Sequence, residues 1–207
     1  MQALYLVTDR ELCGKRPLEE VVLMAVRGGV SCVQIREKKL PLNLFIEQAK
    51  KIKGLIEPFN IPLIINDSVD VALAVGADGV HVGQSDMPFI EVRRLMGPEA
   101  IIGLSVETWE DVEKAQDLDA DYLGVSPVFD TPTKTDTKCA WGLDGLSRIK
   151  AFSRHKLVAI GGINMKNAAA VIRAGADSIA VVSAICAAPD PYEAAVALNT
   201  IINSNSV

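Results

Sequence analysis

The sequence predicts an α/β fold, a single (β/α)8 TIM barrel domain over residues 1–207, from three observations. Short apolar runs that stop at a polar residue or glycine recur eight times. Segments with helical periodicity lie between them. A weak internal repeat spells helix, turn and strand alike as AVGADGVHVG (74–83), DLDADYLGVS (117–126) and RAGADSIAVV (173–182). Strict alternation of strand and helix calls for parallel strands, and eight such units favour a closed barrel over the alternative, an open doubly wound sheet.

Each element follows from local pattern. The apolar runs at residues 4–7, 32–35, 63–65, 80–82, 101–104, 122–125, 157–160 and 179–182 are too short for buried helices and lack the alternation of half-exposed strands, as expected of parallel strands covered on both faces. Helical spacing of apolar residues marks 18–26, 42–56, 69–75, 109–116, 168–172 and 192–201. Further helices are expected to begin near Phe89, Leu143 and Ser183. In the repeats, Gly, Asp or Ala stands at the helix end, where the chain commonly turns through the left-handed region.

Composition narrows the function classes. Apolar residues make up 49% of the chain and aromatics only 5%, which suits a core of Val, Ile, Leu and Ala. A net charge of -5 provides no general attraction for nucleic acid or acidic membranes, so any site for a phosphorylated small molecule must be built locally. Cys13, Cys32, Cys139 and Cys186 lack zinc-type spacing and read as reduced thiols. No targeting segment or long apolar span is visible, and the expectation is a cytoplasmic protein. Assembly into a homo-oligomer is left open.

In a barrel, the polar residues after each strand share the rim where barrel enzymes place their chemistry. Asn66 and Asp67 follow the third strand and Asp86 follows the fourth. With neighbouring strands about 5 Å apart, the two carboxylates could share a hard cation such as Mg²⁺, with water or substrate phosphate completing its shell. Each could instead cap the helix that follows it. Gln34, Arg36 and Lys38 alternate to one side of the second strand's end, bringing an amide and two cations together. The long unpatterned stretch after the sixth strand carries Thr131, Pro132, Thr133 and Lys134, whose hydroxyls and ammonium suit a phosphate or pyrophosphate. Gly161-Gly162 after the seventh strand allows close backbone approach, and a helix from Ser183 would direct N–H groups at an anion. Ser105 has no general base near it in sequence and reads as a hydrogen-bond donor. His81 reads as a satisfied barrel histidine and His155 as a surface residue.

These residues resemble the thiamine-phosphate synthase family. The resemblance rests on YLVTD (5–9), QIREK (34–38), Asn66-Asp67, DGVHVGQ (78–84) with Asp86, GLS (103–105), PVF (127–129) leading to TPTK (131–134), and IGGI (160–163), and it spans nearly the whole chain. It implies an enzyme that joins 4-amino-2-methyl-5-(diphosphooxymethyl)pyrimidine to a thiazole phosphate, releasing pyrophosphate. It further implies that Gln34, Ile35, Arg36, Glu37, Lys38, Asn66, Ser105 and Lys134 contact the pyrimidine diphosphate, with Arg36, Lys38, Ser105 and Lys134 catalytic. Asp67 and Asp86 would be the Mg²⁺ ligands, and Thr131, Pro132, Thr133, Gly162, Val182 and Ser183 would hold the thiazole phosphate. Ser126 departs from the family's usual Gly, and Val106-Glu107 from a polar, often His-containing pair. A related thiazole tautomerase, a non-catalytic barrel and a phosphosugar epimerase are the rival readings. The first is opposed by the joint presence of the two aspartates and three cations, and the last by the lack of clustered histidines.

Overall fold

A computed structural model describes residues 3–131 and 139–205. Eight parallel strands close into a barrel in sequence order: β1 (Ala3–Val7), β2 (Cys32–Ile35), β3 (Leu63–Asn66), β4 (Gly79–Val82), β5 (Ile101–Val106), β6 (Tyr122–Val125), β7 (Lys156–Ala159) and β8 (Ser178–Val181). Helices α1 (Leu18–Arg27), α2 (Leu42–Ile56), α3 (Val69–Val75), α4 (Phe89–Met96), α5 (Trp109–Ala115), α6 (Gly142–Phe152) and α7 (Ala168–Arg173) occupy the crossovers. A short α8 (Ser183–Cys186) and α9 (Pro191–Ser204) follow β8. Parallel strands cannot be joined by a tight hairpin, so each pair needs such a crossover.

The predicted strands match to within a residue or two at their ends, and the barrel replaces the open-sheet alternative because β1 pairs with β8, Leu4 opposite Ile179 and Leu6 opposite Val181. Side chains alternate across the wall. Leu4, Leu6, Leu63, Ile65, Leu157, Ala159, Ile179 and Val181 face outward into the shell shared with the helices. Tyr5, Val7, Ile64, Tyr122, Val158 and Ala180 face inward as a separate, smaller core. Each fully buried Leu or Ile contributes roughly 1.5–3 kcal/mol, and the outer shell holds most of them.

The left-handed turn expected at the helix ends of the repeats is present where glycine stands, and the repeated aspartates have a separate role. Positive φ occurs there at Gly76 and Gly175 and not at the aspartates. Asp78, Asp121 and Asp177 instead clamp the strand next door at the amino-terminal end of the barrel. The Asp78 carboxylate accepts the Leu63 N–H at 2.8 Å, while its own N–H donates to the Leu63 carbonyl at 3.0 Å. Asp121 makes the same reciprocal pair with Ile102 (2.8 and 2.9 Å), and Asp177 with Leu157 (2.8 and 2.9 Å). Arg93 and Lys150 brace two of the clamps, at 2.9 Å from Asp121 and 2.7 Å from Asp177.

His155, expected at the surface, is buried. Its ring nitrogens lie 2.9 Å from the carbonyl oxygens of Ala115 and Ala120, so it ties the α5–β6 joint. The four cysteines are free thiols. Among the described residues no helix is long and apolar enough to cross a membrane.

Asp121→Ala would leave the Ile102 N–H without its side-chain acceptor and the Arg93 guanidinium short of a partner. The expected loss of stability is about 1–3 kcal/mol, read as a lower urea midpoint at unchanged slope. Because the clamp lies at the end of the barrel away from the carboxyl ends of the strands, the folded variant should keep its turnover.

Candidate active site

The carboxyl ends of the strands surround one cavity of about 390 Å³. Gln34, Arg36, Lys38, Asn66, Asp67, Asp86, Ser105, Thr131, Gly162, Val182 and Ser183, taken from seven different stretches of chain, all line it. Two other residues singled out from the sequence point elsewhere. Ile35 is fully buried in the outer shell, as its position between Gln34 and Arg36 requires. The Glu37 carboxylate accepts from Arg10 at 2.7 Å and pairs with neither Arg36 nor Lys38. Pro132, Thr133 and Lys134 lie outside the described residues.

The floor of the cavity is a hydrogen-bonded chain of side chains across the barrel interior. Gln34 Nε2 donates to the Tyr5 hydroxyl (2.8 Å), which meets the Tyr122 hydroxyl (2.9 Å). That hydroxyl meets His81 Nδ1 (3.0 Å), and His81 Nε2 meets Ser105 Oγ (2.8 Å). His81 also stacks on Tyr122, with ring centroids 5.5 Å apart. Ser105 has no general base near it in sequence, as expected, but β4 and β5 bring the distant His81 to hydrogen-bond distance. Gly103 and Gly124 make the space, since a Cβ at Gly103 would sit 2.1 Å from the Tyr122 ring and one at Gly124 2.8 Å from His81.

Sequence reading missed Tyr5 and Tyr122, whereas His81 is the satisfied barrel histidine expected, with both ring nitrogens hydrogen-bonded. A usable signal was present. All three share the inward parity of Gln34 and Ser105, with Asn66 opposite His81, His81 opposite Gly103 and Gly103 opposite Tyr122. Burial pushes the Tyr5 and Tyr122 hydroxyls well above the usual phenol range, so both stay protonated hydrogen-bonding groups.

Charge is concentrated at the mouth. Asp67 does not cap α3; Ser68 does, its hydroxyl accepting from Val71 N. Asp67 occupies the left-handed region at φ 63°, and its N–H donates to the His81 carbonyl at 2.8 Å. Asp86 does not cap α4 either, because its carboxylate turns back to accept the Gly83 N–H at 2.7 Å. The two carboxyl groups consequently line one cavity from neighbouring strand ends and repel each other. Burial raises the Asp86 carboxyl above its ordinary value, the Gly83 N–H opposes this, and the Asp67 carboxylate adds to the rise. Lys38 Nζ lies 2.7 Å from Asp67 Oδ2. Among the described residues the Arg36 side chain has no hydrogen-bond or ion-pair partner, while its backbone N–H is fixed by Thr8 Oγ1 at 3.1 Å. Among those residues there is also no cluster of three or more metal-ligating side chains.

On the other side of the cavity, Gly161 and Gly162 have positive φ (105° and 66°). Their missing side chains also matter for packing, in addition to the close backbone approach expected of them. A Cβ at Gly161 would lie 2.7 Å from Pro127, and one at Gly162 2.8 Å from Phe129, so the loop after β6 seats directly on them. The loop after β8 enters α8, whose first turn has no side-chain cap.

Fold and site define a barrel enzyme with a polar, hydrogen-bonding floor and a mouth of mixed charge at the carboxyl ends of its strands. The family described as thiamine monophosphate synthase matches residues 4–185, and the chain belongs to that family of transferases. It is 57% identical over 201 residues to the thiamine-phosphate synthase of Albidiferax ferrireducens, covering 97% of this chain and 92% of that one. It is likewise 57% identical over 202 residues to that of Leptospira biflexa, covering 96% of each. The structure of thiamine phosphate pyrophosphorylase from Pyrococcus furiosus superposes with a TM-score of 0.90 at 39% identity, covering 98% of this chain and 96% of that one. An orotidine 5'-phosphate decarboxylase from Pyrococcus horikoshii, at 18% identity and a TM-score of 0.70, shares the fold alone.

The buried floor makes stability sensitive to alkali. Tyr5 and Tyr122 hold their protons above the unfolded value of 10.0, and burial pushes Cys32 up to about 12 from 9.0. The unfolded chain releases these protons first, so the associated stability is complete below pH 9 and is lost as pH rises through 12. Melting temperature should fall over that range, and fall less steeply in Tyr122→Phe, which removes one of the retained protons.

Proposed function

We propose that this chain joins 4-amino-2-methyl-5-(diphosphooxymethyl)pyrimidine to a thiazole phosphate, giving thiamine phosphate and pyrophosphate. The observation that carries this reading is the meeting of Arg36, Lys38, Asp67 and Asp86 at one cavity mouth above a neutral polar floor. Family membership supports the reaction class.

On this reading the floor seats the aminopyrimidine. Gln34, Asn66 and Ser105 offer amide and hydroxyl groups to ring nitrogens and the exocyclic amine, and the Tyr5–Tyr122–His81 chain holds Gln34 and Ser105 in fixed orientation. The diphosphate then reaches the mouth. The carbon–oxygen bond to the diphosphate breaks with its electron pair leaving on pyrophosphate, and the amino group feeds electrons into the ring to stabilise the cation. The thiazole nitrogen supplies the pair for the new carbon–nitrogen bond. No protein nucleophile is required, so the His81–Ser105 pair serves to orient Ser105.

Arg36, Lys38 and Lys134 neutralise charge that grows on the leaving group, where preorganised donors act most strongly. Thr131, Pro132, Thr133, Gly162, Val182 and Ser183 hold the thiazole phosphate opposite. Asp67 and Asp86 suit Mg²⁺: two carboxylates lining one cavity mouth are hard oxygen donors, and Mg²⁺ is commonly held by one or two carboxylates together with waters and substrate phosphates. When bound, the ion supplies Lewis-acid stabilisation of phosphate oxygens.

Incubating the protein with both substrates and Mg²⁺ should yield thiamine phosphate and pyrophosphate in equal amounts; conversion of the thiazole phosphate to an isomer without coupling would replace this reading by the tautomerase. Arg36→Ala and Lys134→Ala should each lower turnover about a hundredfold with an unchanged circular dichroism spectrum, and near-normal turnover would remove that residue from the mechanism. EDTA should abolish coupling and Mg²⁺ restore it, whereas metal-independent coupling would refute the roles given to Asp67 and Asp86.

A further inference from the structure

Two carboxylates that line one cavity and repel each other are steadied by a positive charge beside them. The backbone holds this pair together from both sides, through Asp67 N–H to the His81 carbonyl at 2.8 Å and Gly83 N–H to Asp86 at 2.7 Å. Among the described residues the positive group bonded to them is the Lys38 ammonium, 2.7 Å from Asp67 Oδ2. Lys38 stands at the end of β2 on a side chain that is 54% exposed, long enough and free enough to move. It lines the same cavity as Arg36, so an anion bound there is within the same charged rim.

We infer that Lys38 is a resident counter-cation of the carboxylate pair, exchanging its place for a divalent ion when a diphosphate enters and then bonding to that diphosphate. This rests on the reading of Asp67 and Asp86 as the metal anchor. The physical reason is competition for one oxygen. Asp67 Oδ2 cannot keep an ammonium at hydrogen-bond distance and also ligate an ion at about 2.1 Å without placing two cations against each other. A diphosphate removes the conflict by giving the ammonium a new anionic partner. Metal and diphosphate therefore favour each other's binding through one side chain, and the coupling is reciprocal. It also makes the carboxylate pair a poor binder of free ions before substrate arrives.

The alternative is an ordinary solvent-screened ion pair, in which Lys38 contributes nothing to metal binding. The two accounts differ in sign. Lys38→Met should bind Mn²⁺ alone more tightly than the unaltered protein, by about two- to fivefold as an exposed pair allows, measured by the paramagnetic resonance signal of free Mn²⁺. At saturating Mn²⁺ the same variant should bind inorganic pyrophosphate more weakly by calorimetry. Lys39→Met is the control for a simple change of net charge, because Lys39 pairs with Glu11 away from the cavity, and it should alter neither affinity. Equal or weaker Mn²⁺ affinity in Lys38→Met, with Mn²⁺ binding abolished in Asp86→Asn, would overturn the exchange while leaving the metal anchor standing. Failure of the unaltered protein to bind Mn²⁺ even with pyrophosphate present would overturn both.

Discussion

The register in which β1 lies beside β8, with Leu4 opposite Ile179 and Leu6 opposite Val181, turns a ribbon of strands into a ring. Closure has two consequences that no shorter-range contact could supply. It removes both exposed sheet edges, each a row of unpaired backbone groups. It also brings the ends of β1 and β2 beside those of β8 and β7 and across from those of β5 and β6, so that residues far apart in the chain share one cavity. The Tyr5–Tyr122 hydrogen bond, at 2.9 Å between opposite walls, exists only because the ring is shut.

The two ends of the barrel are built to different rules. At the amino-terminal end three aspartates each bind the backbone of a neighbouring strand in both directions, and two are braced by a cation. Their acceptor capacity is spent on the protein itself. At the carboxyl end Asp67 and Asp86 are turned away from the helix caps their sequence positions suggest. Asp67 adopts a backbone conformation that non-glycine residues seldom occupy, with a cost of order 1–3 kcal/mol. Strain of that kind is retained where it holds a side chain in a useful place, and here it accompanies a carboxyl that lines the same cavity as Asp86.

Within the site, neutral and charged groups are separated by depth. Deep in the barrel, burial keeps the phenols protonated, so recognition there rests on hydrogen bonds with fixed geometry. Charges sit at the mouth, where water screens them in the absence of a ligand. The proposed reaction uses this division: a neutral heterocycle below, a departing anion above. The rim cations would exert their full effect only when substrates exclude water and lower the local dielectric.

Sequence by itself determined the eight-unit alternation, the limits of the strands to within a residue or two, the position of each crossover helix, and the acidic and basic residues of the rim, because these depend on periodicity and on the rule that strand ends in a barrel share one face. The family resemblance was legible for the same reason, as its motifs follow the strands in order. Tertiary structure decided what side chains do to one another across the ring. It set His81 against Ser105, which sequence distance had concealed, and buried His155 between two carbonyls. It made the repeated aspartates into clamps, and it seated the β6 loop on Gly161 and Gly162. Each of these depends on which strand lies opposite which and at what register, a property of the closed barrel as a whole that local pattern does not carry.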